Sequence, residues 1–232
     1  MHYTFREPAV AVPSASVQQL LDWARQHPRW LVITGAGCST EVGIPDYRDA
    51  TGQWKRPPPV TYQAFMGDAL VRQRYWARSL VGWRVMGQAQ PGPAHQALAA
   101  LERAGHVPLL VTQNVDGLHS AAGSQQVLDL HGRIDTVRCM DCGHRFARAD
   151  WQQALVALNP AWAQLQARTA PDGDADLDGL PFAEFRIPPC PHCGTGTLKP
   201  DVVFFGESVP HERVQRVRNA LSQVDGVLVA GS

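Results

Sequence analysis

Lysine is nearly missing from this chain. Lys55 and Lys199 are its two lysines, so 19 of its 21 basic residues are arginine, a bias that reads as genomic. Acidic residues also number 21, which leaves no net basic field to draw in a nucleic-acid backbone and no acidic solvating tail. Long apolar runs are absent too: nothing approaches the roughly 18 to 20 residues that span a bilayer. The opening Met1-His2-Tyr3-Thr4-Phe5-Arg6-Glu7 lacks the basic-then-apolar order of a secretory signal, so the expected location is the cytoplasm. Cysteines are few and odd in number, five, and four of them form two Cys-x-x-Cys pairs, which in a reducing compartment favours metal over disulfides. Internal repeats and long low-complexity tracts are absent. What remains is 232 residues, 44% hydrophobic and 18% charged, a composition that buries a core. At about 150 residues per domain, the length suits one main domain with a smaller module.

Val17, Leu20, Leu21 and Ala24 fall on one face after Ser14 and Ser16, predicting an amphipathic helix over 16–26. Trp30-Leu31-Val32-Ile33-Thr34 is a short continuous apolar run, as in a parallel strand buried on both faces. Similar runs at 107–112, 127–130, 202–205 and 226–230 alternate with helical segments near 93–104, 116–122 and 210–222. This alternation predicts an α/β fold with a doubly wound, Rossmann-type parallel sheet whose ligands sit at the carboxyl ends of the strands. Two stretches interrupt it. Residues 50–91 carry Pro57-Pro58-Pro59 and a helix over about 69–85, a helical insertion. Residues 138–199 carry both cysteine pairs and the turn-rich Pro171-Asp172-Gly173-Asp174, and read as a smaller zinc-binding module inserted into a main domain formed by 1–137 and 200–232.

Gly35-Ala36-Gly37-Cys38-Ser39-Thr40 follows the first strand, where glycines let a backbone turn tightly beside a pyrophosphate; an ordinary strand-to-helix turn reads the same way. Thr40 stands where the dehydrogenase fingerprint has its third glycine, which disfavours hydride transfer but not a nucleotide. Cys139-Met140-Asp141-Cys142 and Cys190-Pro191-His192-Cys193 have the spacing of two knuckles. Four thiolates close a tetrahedral shell and leave no open position, so a zinc ion there is structural. Cys38 is expected to be a packed residue. Gln113, Asn114 and Asp116 lie just past a strand end, where Asn and Asp either cap a helix or offer the donor and acceptor that a carboxamide and a ribose hydroxyl require.

Five blocks in order carry a resemblance. Gly35 to Thr40, its continuation Glu41-Val42-Gly43-Ile44-Pro45-Asp46-Tyr47-Arg48, Thr112 to His119, Leu130-His131-Gly132, and Lys199 to Glu207 together resemble the sirtuins, NAD-dependent protein-lysine deacylases. The resemblance implies that Gly35, Ala36, Gly37, Thr40, Asp46, Tyr47, Arg48, Gln113, Asn114, Asp116, Gly231 and Ser232 bind NAD, with Asn114 and Asp116 at the nicotinamide and its ribose. It implies that His131 is the general base, a task suited to imidazole near neutral pH. In that family the acyl oxygen attacks the nicotinamide ribose, nicotinamide leaves, and the acyl group passes to ADP-ribose, so NAD is consumed. Val203 and Phe205 would line the acyl-lysine tunnel, beside which an extended acylated peptide or protein segment adds as a strand.

Tyr75 and Arg78 share a helix face at i and i+3. They are similar to the tyrosine and arginine with which class II and III sirtuins grip the carboxylate of acidic acyl groups, a solvated arginine beside a packed tyrosine being the alternative. Further segments are similar to class II sirtuins of bacteria and mitochondria. Rival readings are a mono-ADP-ribosyltransferase using the same NAD pocket and a non-catalytic NAD or acyl-lysine binding module; a membrane role and nucleic-acid binding have no support. Sirtuins continue past the strand and Gly-Ser turn matched by Val227 to Ser232, so a chain cut short is expected, with weak NAD binding and an exposed sheet edge.

Overall fold

The structure, a computed structural model, describes residues 16–47, 51–53, 55, 59–166, 177 and 179–232. Arg48, Pro57, Pro58 and the Pro171–Asp174 turn lie outside the described residues. In chain order the elements are α1 (Val17–Gln26), β1 (Trp30–Thr34), a 3-10 turn (Ala36–Val42), α2 (Tyr62–Gly67), α3 (Ala69–Met86), α4 (Pro93–Arg103), β2 (Leu109–Thr112), α5 (Leu118–Ala121), β3 (Val127–Asp129), β4 (Gly132–Cys139), β5 (Arg145–Ala147), α6 (Arg148–Leu158), β6 (Leu198–Val202), α7 (His211–Leu221) and β7 (Gly226–Ala230).

Side chains that alternate along β1 separate two cores. Trp30 and Val32 pack with Leu98 of α4 and with Trp23 and Ala24 of α1 on one face. Leu31 packs on the other with Leu109, Val111 and Leu128, covered by Val217 and Ala220 of α7. Helices on both faces are why these strands carry unbroken apolar runs. Leu31, Val32 and Leu110 are fully buried, each worth about 1.5–3 kcal/mol of burial. The strand order is β3-β2-β1-β7, all parallel, so connections leave β1 toward β2 on one side and return to β7 on the other. That reversal opens a crevice beyond the strands' carboxyl ends. Helix α1 begins where expected, with the Ser16 hydroxyl accepting from Gln19 N–H, but Val17, Leu20 and Leu21 are exposed and only its Trp23–Ala24 side is covered.

The run at 202–205 corrects the sequence expectation. It does not enter the parallel sheet: β6 ends at Val202 and pairs antiparallel with β4, which pairs with β5 in a second sheet of order β5-β4-β6. Phe204 is buried instead in an aromatic cluster with Phe65 and Tyr75, ring centroids 5.3 Å from each, so the apolar run answers to helix packing rather than to a sheet interior. This cluster joins α2 and α3 to the second sheet and α6, where Trp76 and Trp151 are both buried. Trp76 Nε1–H donates to Leu198 O at 3.1 Å, which ties α3 to β6. Among the described residues, no helix is long and apolar enough to cross a membrane.

Candidate active site

β1 delivers the chain to a glycine loop, and β7 delivers a second one beside it. Gly35 N–H donates to Ala230 O and Gly37 N–H to Gly231 O at 2.8 Å. A Cβ on Gly35 would lie 2.8 Å from Gly231 O, so the two loops approach at a distance that excludes a side chain. Buried Cys38 donates its thiol to Ala230 O at 3.2 Å, and burial pushes that thiol's pKa up, which keeps it protonated and packed. Gln113 bridges the same corner through Nε2–H to Ser232 Oγ at 3.3 Å.

A cavity of about 420 Å³ opens at this end of the sheet, and Ala36, Tyr47, Gln113, Asn114, Asp116 and His131 all face it. Its other walls are Ile44, Met86, Val115 and the segment 202–207. Of the expected site residues, Val203 and Phe205 line the cavity, whereas Tyr75 and Arg78 do not. Tyr75 is 5% exposed, its ring against Phe65 and Phe204. Asp46 pairs with Lys55, and Thr40 Oγ1–H caps Gly37 O.

The polar groups form a directed network that fixes proton positions. Gly92 N–H donates to His95 Nδ1 at 3.1 Å, so the His95 proton sits on Nε2, which faces the Ser39 oxygen at 3.4 Å. Asn114 Nδ2–H donates to the same oxygen at 3.1 Å, and the Ser39 hydroxyl donates to Asp116 Oδ2 at 2.7 Å. Asp116 Oδ1 accepts from Leu118 N–H at 2.9 Å, which places the carboxylate at the start of α5. Beneath lies His119, 1% exposed, its ring tilted 55° to that of His95 with centroids 4.7 Å apart, and its Nε2 on Thr34 Oγ1 at 2.9 Å. Burial, with the His95 neighbour adding, lowers its pKa to about 4 despite the opposing Asp116 charge.

His131 follows β3 and immediately precedes β4. Its Nδ1 lies 3.1 Å from Gln113 O; a carbonyl only accepts, so Nδ1 carries the proton and Nε2 presents a lone pair. Burial lowers the imidazole pKa below its usual value, against the Gln113 carbonyl bond that raises it, so the ring is neutral near pH 7. His131 O in turn accepts from Val203 N–H at 2.7 Å, linking the histidine to the cavity wall. Gly132 makes this possible: its φ is +84°, and a Cβ there would overlap Asp201 O and lie 3.3 Å from Val202 Cα.

The four expected metal ligands come together. Cys139, Cys142, Cys190 and Cys193 place their sulfurs within 4.8 Å of one another, with Cys139 to Cys193 at 3.8 Å and Cys142 to Cys190 at 3.9 Å. A tetrahedral Zn–S bond of about 2.3 Å sets the sulfur separation at about 3.8 Å, so the set fits zinc, whereas a disulfide needs about 2.05 Å. Backbone amides point at the sulfurs, His192 N–H to Cys190 Sγ and Gly196 N–H to Cys193 Sγ. A Cβ on Gly196 would overlap the Cys139 sulfur, so glycine is required there.

Sequence reading missed Ser39, His95 and His119. Ser39 lies inside the glycine loop, with no partner visible in one dimension. His95 carries a local signal, Pro91-Gly92-Pro93 followed by a histidine at the third helical position, the place from which a side chain reaches back to the cap.

A doubly wound sheet with a glycine-loop crevice, a neutral histidine and a four-cysteine module defines a nucleotide-crevice α/β protein with a structural metal site. Known proteins narrow that class. The Sir2 family description matches residues 35–232. An NAD-dependent protein deacetylase of Xanthomonas axonopodis pv. citri is 60% identical over 222 residues, covering 96% of this chain and 75% of that protein. One of the same name from Bordetella bronchiseptica is 61% identical, covering 94% and 79%. Among solved structures, a Sir2 homologue in complex with NAD aligns with TM-score 0.65 at 33% identity, covering 94% of this chain and 73% of that one. A Sir2 complex with a p53 peptide and NAD aligns at 0.71 and 26%, covering 94% and 76%. The chain belongs to the Sir2 family.

Proposed function

We propose that this protein is an NAD-dependent protein-lysine deacylase that moves the acyl group of an acylated lysine onto ADP-ribose and releases nicotinamide. The observation that carries the reading is the His131 tautomer: a neutral imidazole with its Nε2 lone pair facing a cavity shared with Asn114, Asp116 and the 202–207 wall. NAD supplies the activated bond to nicotinamide whose cleavage removes the acyl group from nitrogen. Asn114 and Asp116 hold the nicotinamide and its ribose, with Ser39 and His95 fixing their directions; Gln113 holds the ribose nearby. Gly35, Ala36, Gly37, Thr40, Gly231 and Ser232 form the loops that admit the rest of the dinucleotide, which Asp46, Tyr47 and Arg48 also bind.

His131 acts as general base toward a ribose hydroxyl, and its lowered pKa keeps it able to take that proton near and below neutral pH. Val203 and Phe205 flank the acyl-lysine. Ile44, Met86, Val115, Val202 and Phe204 make its surroundings apolar, which suits an uncharged acyl group better than a dicarboxylate. Tyr75 then supports Phe204 from behind. Zinc on the four cysteines holds the small module. In this reading residues 1–137 with 200–232 hold NAD and 138–199 form the zinc module, with β4 and β6 shared across the boundary; acylated proteins of the cytoplasm are the substrates.

The test is one lysine peptide carrying acetyl, succinyl, glutaryl, lipoyl or long-chain acyl groups, incubated with NAD and read by mass spectrometry. O-acyl-ADP-ribose and nicotinamide are expected, strongest with an uncharged acyl group, with a loss of about 100-fold or more in His131→Ala. Label from NAD retained on protein without acyl transfer would replace this reading by ADP-ribosyl transfer.

A further inference from the structure

A chain with two lysines places one of them in its core. Lys199 is 3% exposed, although a buried ammonium costs several kcal/mol unless every proton is matched. Here all three are. Nζ donates to Pro200 O at 3.3 Å, to Val202 O and to Glu207 Oε2 at 3.1 Å, while resting 4.6 Å from the centroid of the Phe204 ring. Glu207 Oε2 also accepts from Phe204 N–H at 2.9 Å, and Glu207 N–H donates to Phe204 O at 2.9 Å, closing a turn through Gly206. The ion pair therefore draws the end of β6 back on itself and turns the Phe204 ring inward. Val203 and Phe205 line the cavity in the same segment, as does Phe204. The same segment is fastened to His131 O through Val203 N–H, and to α2 through Tyr62 N–H to Phe205 O and Gln63 Nε2–H to Gly206 O.

We propose that Lys199, through Glu207, is a positioning residue that shapes the Val203–Gly206 segment into the wall against which the acyl-lysine peptide lies. Its effect falls on peptide binding rather than on the NAD side of the cavity, because none of its contacts reaches Ser39, Asn114 or Asp116. The inference rests on the deacylase reading for the identity of the ligand.

The experiment compares wild type with Lys199→Met, which keeps an apolar stem against Phe204 and removes the donors, and Lys199→Arg, which keeps a cation. Affinity for a fluorescent acetyl-lysine peptide and for NAD is titrated separately, beside peptide KM and kcat. Lys199→Met is expected to weaken peptide Kd and KM by about tenfold while NAD affinity stays within about twofold, and Lys199→Arg to recover to within about threefold of wild type. Glu207→Gln keeps an acceptor for Phe204 N–H but loses the charge, and should weaken the peptide in the same direction; it carries the test if Lys199→Met does not fold. Unchanged peptide affinity in both Lys199→Met and Glu207→Gln overturns the proposal. So does a parallel loss of peptide and NAD affinity, which would make the pair a fold staple alone. Because binding is read without turnover, a wild type that binds peptide but releases no nicotinamide refutes the deacylase reading, and the variants still decide the role of Lys199. A wild type that binds no acetyl-lysine peptide overturns both.

Discussion

Replacing Gly132 by alanine tests the joint on which the candidate active site turns. The residue follows His131, has φ of +84° and pairs with Val202 across β4 and β6. Two costs add. A side chain at positive φ costs about 1–2 kcal/mol, and forcing a methyl into a filled space costs about 1–3 kcal/mol. The second applies because the new Cβ would overlap Asp201 O, a backbone atom that cannot swing aside without parting the two strands. The sum, about 2–5 kcal/mol, corresponds to a fall in Tm of about 4–20 °C at roughly 2–4 °C per kcal/mol for a chain of this size. Gly105→Ala is the control: its φ is +86°, but nothing lies within 4 Å of the new Cβ, so only the torsional part applies. Thermal unfolding by circular dichroism of both variants isolates the steric part. Nicotinamide release should fall further than stability in Gly132→Ala, since parting β4 from β6 also stretches the Val203 N–H bond to His131 O. A Tm loss in Gly132→Ala no larger than in Gly105→Ala would refute the reasoning.

Cys139→Ser removes one sulfur of the four-cysteine cluster and should abolish stoichiometric zinc, lower Tm and reduce turnover indirectly; a fully active variant without zinc by atomic absorption would contradict a structural metal. His119 gives the fold an acid sensitivity of definite sign. Its folded pKa of about 4 lies below the unfolded value near 6.5, so the unfolded chain binds the extra proton and stability falls as pH drops from about 6.5 to 4. The contribution is of order 3 kcal/mol at its limit, and urea midpoints in His119→Gln should be less steep over that window; an unchanged slope counts against it.

The glycine loop, the cysteine pairs, the strand-end Asn114 and Asp116, and His131 were legible because each couples a residue type to a local backbone signal. Three features were not, for one physical reason: a sequence states which residues share a face but not what that face meets. The run at 202–205 has the apolarity of a sheet interior, yet Phe204 finds aromatic rings instead. Tyr75 and Arg78 do have helical spacing, but α3 turns Tyr75 into the same cluster. His95 and His119 are 24 residues apart in number (119 − 95) and meet only when α4 packs beside α5, so their ring contact has no one-dimensional signature.

His131 sits at the joint between the two sheets, one strand away from the four-cysteine cluster. Leu130 N–H donates to Thr112 O, which completes the edge of the parallel sheet one residue before the histidine; Gly132 begins β4 one residue after it. From Gly132 to Cys139 β4 is seven steps of about 3.3 Å, an extent on the order of 20 Å, and its pairing with β6 shifts register between Arg133 and Val137, so the four cysteines stand well away from the imidazole. They fix the far end of the β4–β6 pair. In that pair Cys139 faces Leu198 and Arg138 faces Lys199 at the cysteine end, and Gly132 faces Val202 at the near end, with the register shifting between the two. Within a strand pair a slip of one residue moves every side chain beyond it to the opposite face. Because that irregularity separates the two ends, loss of the metal in Cys139→Ser is expected to loosen Lys199 at the cysteine end first and to affect the Val203 N–H bond to His131 O less.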